Sequence, residues 1–334
     1  MPSTLPQSIF DLLSVSNGGW NRLVTDPPIG FNNSGNDDLE YTNLVSAALA
    51  NGGTGNDRIH ITGALTLASI VNGGDGEDQI FGGVGLDVIN GGDGDDYIHG
   101  GAGADTLSGG AGDLGGTDTL SYEFSNLGVN VNMAQLNALG NITVSGGHAN
   151  GDLVSNDFEN VVGSQSHDTI TGNNNANVLV GLNGNDGLFG EGGDDTLIGG
   201  NGDDVLLGDD GANVLNGGAG RDDLRGSTQS ADIDRFVYES PTDSLPTGFD
   251  TIRVSIRDRV DLSQIDANGI STDGDQAFVK VSAFTGARGQ LVVQRSLHQG
   301  DILVDINGDK SPDMKIHWSE YDEHGAHWSA NFIL

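Results

Sequence analysis

Along much of this chain a single large aliphatic residue recurs every nine positions, set among glycines and short polar residues. One in-phase set is Ile80, Ile89, Ile98 and Leu107, and a longer one is Ile170, Leu179, Leu188, Leu197, Leu206, Leu215 and Leu224. A period of nine fits neither the 3.6-residue turn of an amphipathic helix nor a sustained alternation of two. It marks a stacked repeat in which each unit is one small structural piece. The three residues centred on each aliphatic read as a short strand that points its middle side chain inward. The six residues before them are rich in glycine, aspartate and asparagine and read as a tight turn. Two turn-and-strand units complete one coil, so the fold class is all-β, a parallel β-roll. Every second unit then lies on the same edge, which stacks Asp78 with Asp96 on one side and Asp87 with Asp105 on the other.

Four units run in phase from Gly73 to Ser108: GGDGEDQIF, GGVGLDVIN, GGDGDDYIH and GGAGADTLS. Seven more run from Gly163 to Arg225, the cleanest being GGNGDDVLL and GGAGRDDLR. Glycines at the first, second and fourth places supply backbone angles that other residues adopt only at a cost. These turn glycines are Gly73, Gly74 and Gly76, then Gly82, Gly83 and Gly85, then Gly91, Gly92 and Gly94, and then Gly100, Gly101 and Gly103. In the second array they are Gly199, Gly200 and Gly202, followed by Gly217, Gly218 and Gly220. Some units depart from the pattern. Asn177 and Asn213 replace the aspartate at the sixth place, Ser166 replaces the fourth glycine, and Glu191 replaces the second. Upstream, GGTGNDRIH (Gly52 to His60) fits alone, and NNSGNDDLE from Asn32 keeps only the second half of the pattern.

The sixth residue gives the repeat its chemistry. A carboxylate there, joined by turn carbonyls from the neighbouring coil, offers hard oxygen donors that suit calcium far better than zinc or copper. The candidate ligands are Asp57, Asp78, Asp87, Asp96, Asp105, Asp118, Asp168, Asp186, Asp195, Asp204 and Asp222, with Asn177 and Asn213 at the substituted turns. Charge sharpens this. Between Ile59 and Gly220 there are 23 Asp or Glu residues and no Lys or Arg. Stacked carboxylates without countercharge repel one another, and a narrow aliphatic core is too thin to overcome that. An ion that binds only the folded state stabilises it by mass action. The chain is therefore expected to be largely disordered without calcium and to fold on binding several calcium ions. A solvated acidic linker would explain the charge and glycine content but not aliphatics locked in phase.

Other bounds follow from composition. The chain has 334 residues, no cysteine and a net charge of −35. Disulfides and thiolate chemistry are excluded, and nucleic acid and anionic membranes are poor partners for such a charge. No stretch approaches a transmembrane span, so membrane insertion is not expected. The opening MPSTLPQSIFDLLSVS lacks the basic start and sustained apolar core of a secretory signal peptide. Five segments emerge. Residues 1–31 form a short lead with an amphipathic turn around Ile9 to Val15. Residues 32–108 hold the first roll. Residues 109–162 break the register with a five-residue insertion in GGAGDLGGTDTLS, then with alternating runs at Gly128 to Met133 and Asn141 to Ser145 that read as a hairpin or two edge strands. Residues 163–230 hold the second roll, and residues 231–334 lose the glycine repeat and regain aromatic and basic residues.

The last segment resembles a known family. DIDRFVY (Asp232 to Tyr238), FDTI (Phe249 to Ile252), RVDLSQIDAN (Arg259 to Asn268), GDQAFVKV (Gly274 to Val281) and AFTGARGQL (Ala283 to Leu291) look like the C-terminal domain of serralysin-type metalloproteases. The ending Asn331, Phe332, Ile333, Leu334 is similar to the apolar tetrapeptide that closes that family. The repeats resemble RTX, or haemolysin-type, calcium-binding proteins, and the insertion at 121–162 resembles a spacer between RTX blocks. The resemblance implies unfolded passage through a type I secretion exporter, recognition of an uncleaved C-terminal signal, and folding outside the cell as a secreted, extracellular protein. It stops short of the protease. No H-E-x-x-H zinc motif and no G-x-S-x-G nucleophile elbow occur, and the roughly 50 residues ahead of the repeats cannot hold a protease domain.

Three weaker features remain. DINGDKSPD offers Asp305, Asn307, Asp309 and Asp313 as a calcium loop, yet Lys310 stands where such loops want glycine, and a polar hairpin turn explains the stretch equally well. His317, Glu320, His324 and His327 cluster in HWSEYDEHGAHWS, where surface histidines are the simpler reading than a metal site. Asp26-Pro27 is a candidate cleavage point but reads first as a turn. Two functional classes survive. The favoured one is a non-catalytic, secreted calcium-binding protein acting in an extracellular matrix, in adhesion or at a host surface. The alternative is a polysaccharide lyase or epimerase, or an effector, using the roll or insertion surface. That chemistry needs cationic groups against uronate carboxylates, and the roll contains almost none.

Overall fold

The computed structural model describes residues 21–24, 29–31, 35–41, 49–62, 68–110, 116–229, 231–267, 277–320, 328 and 331–334. The turn at Ile9 to Val15, Asp26-Pro27, His324 and His327 lie outside the described residues. Short strands dominate, and the described helical pieces are single 3-10 turns at Gly147–Ala149 and Pro241–Ser244. Among the described residues no helix is long and apolar enough to cross a membrane. Two compact units are present, Met1–Gly172 and Asn173–Leu334.

In the first unit successive strands alternate between two parallel sheets. One sheet holds Asn21–Val24, Asp37–Tyr41, Arg58–Ile61, Gln79–Gly85, Tyr97–Gly103, Thr119–Ser121 and Asn160–Val162, each bonded in parallel to the next. The other holds Ile29–Phe31, Leu49–Thr54, Ile70–Asp75, Val88–Asp93, Thr106–Ser108 and Leu153–Val154. The nine-residue period sets the register: Ile80 pairs with Ile98, and Val71 with Ile89. Ile59, Ile80, Ile98, Leu120 and Val161 from the first sheet and Val71, Ile89, Leu107 and Val154 from the second are all at most 1% exposed. Burying each such side chain stabilises the fold by roughly 1.5–3 kcal/mol. This is the parallel β-roll that the sequence pattern predicts.

The insertion joins this roll. Asn130–Leu136 and Ile142–Ser145 pair antiparallel, and the hairpin inserts into the second sheet between Leu153–Val154 and Thr169–Thr171. Its buried side chains Val131, Met133 and Ile142 continue the core stripe.

The second unit begins with the same plan. Val178–Asn183, Thr196–Asn201, Val214–Ala219, Arg235–Val237, Arg259–Asp261 and Asn331–Ile333 form one parallel sheet. Gly187–Phe189, Val205–Leu207, Asp223–Arg225, Asp250–Val254 and Met314–Glu320 form the other. Gln299–Asp305 and Gln290–Ser296 extend it as an antiparallel meander, and Val279–Val281 completes it. Parallel stacking thus runs past Ala231, where the glycine repeats stop. From there the thin aliphatic core gives way to a thicker aromatic one. Phe236, Tyr238, Trp318 and Trp328 are buried, the two tryptophan rings lie 5.1 Å apart, and Trp328 Nε1 donates to the carbonyl of Asp258.

Candidate calcium-binding turns

The sixth-place aspartates form ladders along the edges of both units. In the first unit Asp57 Oδ1 accepts the backbone N–H of Asp37 at 2.7 Å, Asp78 that of Asp57 at 2.7 Å, Asp96 that of Asp78 at 2.8 Å, and Asp118 that of Asp96 at 2.9 Å. On the other edge Asp87 accepts from Ser69 at 2.7 Å, Asp105 from Asp87 at 2.8 Å, and Asp152 from Asp105 at 2.8 Å. In the second unit one ladder runs Asn177, Asp195, Asn213, Asp234, Asp258, and the other runs Asp186, Asp204, Asp222, Asp250. One oxygen of each accepting residue is thereby committed to holding the preceding coil.

The second oxygen is left for something else. Among the described residues, Oδ2 of Asp57, Asp78, Asp105, Asp195, Asp204 and Asp222 is buried and meets no hydrogen-bond donor. It faces the first glycine of its own turn. A Cβ on Gly73 would lie 2.1 Å from Asp78 Oδ2 and 2.5 Å from the Gly91 carbonyl oxygen, and one on Gly199 would lie 2.3 Å from Asp204 Oδ2 and 2.6 Å from the Gly217 carbonyl. Two acceptor oxygens therefore crowd the glycine edge of the turn. A buried charge so placed is tolerable only beside a cation. Among the described residues no group of three or more His, Cys, Asp or Glu side chains is placed to hold a metal ion. An ion here would be held by a carboxylate from the turn and backbone carbonyls, an all-oxygen donor set that fits calcium.

Electrostatics say the same. Without a cation, burial pushes Asp78 and Asp222 up to about 8, and Asp57, Asp105, Asp195 and Asp204 up to about 7. Neighbouring carboxylates on the same edges add to the rise, and backbone N–H donors oppose it. A bound divalent ion reverses that balance by favouring the charged form.

Not every predicted ligand sits in this geometry. Asp168 receives the Ser164 N–H and hydroxyl and the Val129 N–H, so both its oxygens are engaged by protein donors. Asp87 Oδ2 accepts the Gly83 N–H at 3.1 Å. Asn213 turns its amide inward, and Nδ2 donates to the carbonyls of Asp209 and Gly211 at 3.3 and 3.2 Å, where a cation would otherwise draw them. Asn177 Oδ1 accepts the Asn173 N–H. Asp305 to Asp313 form a turn between antiparallel strands. Asp305 accepts the N–H groups of Gly308 and Lys310, Asp313 those of Ile306 and Asn307, and Asp309 that of Ser311. Asn307 bonds both Asp309 and Asp313, and Lys310 takes φ +74°. His317 pairs with Asp301, and Glu320 with Arg295 and His298.

Sequence reading missed five aspartates that the ladders include: Asp37, Asp152, Asp234, Asp250 and Asp258. The signal was present in DDL, DLV, DRF, DTI and DRV, each an aspartate two residues before an inward apolar side chain. The strand half of the repeat persists there after the glycine half has gone.

A roll of stacked turns edged by buried carboxylates defines a class, the calcium-binding parallel β-roll. Comparison agrees at the level of the repeat: the RTX calcium-binding nonapeptide repeat matches residues 68–89, 81–113, 155–188 and 189–224. These four stretches are RTX calcium-binding repeats. No curated protein sequence matches the chain. Solved structures similar to it include the AlgE6R3 subunit of a mannuronan C5-epimerase from Azotobacter vinelandii, at 20% identity over 52% of this chain and 80% of that one, with a TM-score of 0.26. The AlgE6R2 subunit from the same organism matches at 18% identity over 46% of this chain and 83% of that one, with a TM-score of 0.25.

Proposed function

We propose that this chain is a secreted protein whose β-rolls fold on calcium outside the cell after export through a type I exporter, and that it serves as a non-catalytic matrix, adhesion or host-surface factor. The carrying observation is the set of buried aspartate oxygens without donors, in arrays that hold no lysine or arginine from Ile59 to Gly220. Such edges are stable where free calcium is plentiful and unstable where it is scarce, which couples folding to arrival outside the cell. The serralysin-like stretches from Asp232 to Leu291, and the apolar Asn331 to Leu334 that resemble a tetrapeptide of that family, support export by a signal in this segment. Asn331–Ile333 pairs in parallel with Arg259–Asp261, so folding would take the signal into a sheet after passage.

The test has two parts. Circular dichroism should show β structure with calcium and its loss in excess EDTA. The calcium-loaded protein should then be retained by a polysaccharide or host-surface ligand without releasing unsaturated uronates. A β spectrum indifferent to EDTA removes the proposal, and EDTA-sensitive turnover of a uronate polymer replaces the non-catalytic role with a lyase or epimerase.

A further inference from the structure

In the first unit, the sheet that holds Leu49–Thr54, Ile70–Asp75, Val88–Asp93, Thr106–Ser108 and Leu153–Val154 turns two straight rows of side chains outward. Parallel strands in register set equivalent positions side by side, about 4.8 Å apart. One row is Leu49, Ile70, Val88, Thr106 and Leu153. Its four aliphatic side chains are 38–55% exposed. The other row begins Asn51, Asn72, Asn90, where Asn90 Nδ2 donates to Asn72 Oδ1 at 2.8 Å and Asn72 Nδ2 to Asn51 Oδ1 at 3.0 Å. Residues 49–51, 70–72, 88–90, 106–108 and 153–155 include no charged side chain, in a chain of net charge −35. Outward positions on other sheets do carry charge. They include Asp38, Glu40 and Arg58 on the facing sheet of this unit, and Asp223, Arg225 and Arg253 in the second unit.

A regular apolar row on an open sheet marks a contact face rather than scattered exposure. Charge and the paired amides indicate what covers it. The acidic surroundings repel an acidic partner, and the face itself offers a basic one no carboxylate. A hydroxyl-rich ligand needs amides with free donors and acceptors, whereas Asn72 has spent one of each on its neighbours. Amides paired in this way give up water at little cost. The face therefore suits a second surface that is equally flat, neutral and apolar, which the same face on another copy supplies. We infer that two copies of the chain associate through this sheet in an isologous contact, aliphatic row against aliphatic row. On it two strongly acidic chains meet without opposing charges. Asp75 and Asp93, the acidic residues of these strands, stand in the turns beyond the glycines and would add a repulsion that salt screens. Such a dimer goes beyond the matrix or adhesion role proposed above and does not depend on it.

The test is sedimentation equilibrium on the full-length, calcium-loaded protein. The parent should show a concentration-dependent species of twice the 34.4 kDa chain mass, and added sodium chloride should strengthen it. Ile70→Glu with Val88→Glu should weaken association by at least about tenfold while keeping the parental β spectrum. Should that variant not fold, Ile70→Thr with Val88→Thr, which copies Thr106 of the same row, serves in its place with the same direction of change. Gln79→Glu, on the facing sheet, should leave the dimer unchanged. A parent that stays monomeric at all salt concentrations overturns the inference, as does an undiminished dimer in a folded double variant. A monomeric parent retained on a neutral polysaccharide, with retention lost in the double variant, assigns the face to that ligand instead.

Discussion

Glycine matters in these turns where backbones nearly touch. Gly92 has φ +128°, and a Cβ there would lie 2.0 Å from the carbonyl oxygen of Gly74 on the preceding coil. Gly92→Ala should therefore combine left-handed strain with a backbone clash and destabilise the first unit by about 1–3 kcal/mol, read as a lower melting temperature in calcium. The converse holds where the chain has placed a side chain at an equivalent position. Glu191 sits at φ +74° and is exposed. Glu191→Gly should remove that strain and raise stability by about 1 kcal/mol in the same assay. A lower melting temperature for Glu191→Gly would mean that the glutamate makes a compensating contact in the calcium-loaded state.

At the scale of the strand, one inward aliphatic is nearly the whole contribution of a unit to the core. Leu206 on Val205–Leu207 is fully buried, and its strand is only three residues long. Leu206→Ala should cost about 2–5 kcal/mol, because flanking turns fixed by their neighbours cannot collapse into the gap. A loss below 1 kcal/mol would show that the coils can close together. The same periodic aliphatics made the roll legible in the sequence, since a nine-residue period with one inward side chain admits few other folds. Legibility ended where the glycines ended. Asp234, Asp250 and Asp258 continue the ladders with turns of other lengths, and only the spacing from aspartate to apolar residue survives. The Asp305 to Asp313 stretch shows the opposite limit. Its spacing suits a calcium loop, but the partners of a carboxylate depend on which way the turn presents its N–H groups. Here Asp305 and Asp313 spend their oxygens on the turn itself.

For the whole molecule the governing quantity is the competition between protons and calcium for the same buried oxygens. In the ion-free fold, burial raises Asp78 and Asp222 to about 8, and Asp57, Asp105, Asp195 and Asp204 to about 7, from an ordinary 3.8. A group whose folded value lies above its unfolded one holds extra protons in the folded state. Its stabilising contribution is full below about pH 4 and is lost as the pH rises through 7 to 8. Ion-free rolls should accordingly be least stable at neutral and alkaline pH, the range in which calcium must replace the missing protons. Two outcomes follow for calcium titrations monitored by circular dichroism at pH 5.5 and pH 8. In EDTA, the more acidic sample should show more residual β structure. With calcium, its midpoint should move to higher ion concentration, because each ion must displace protons that the pH 8 sample has already shed. A midpoint that does not change with pH would overturn the competition between protons and calcium for these oxygens.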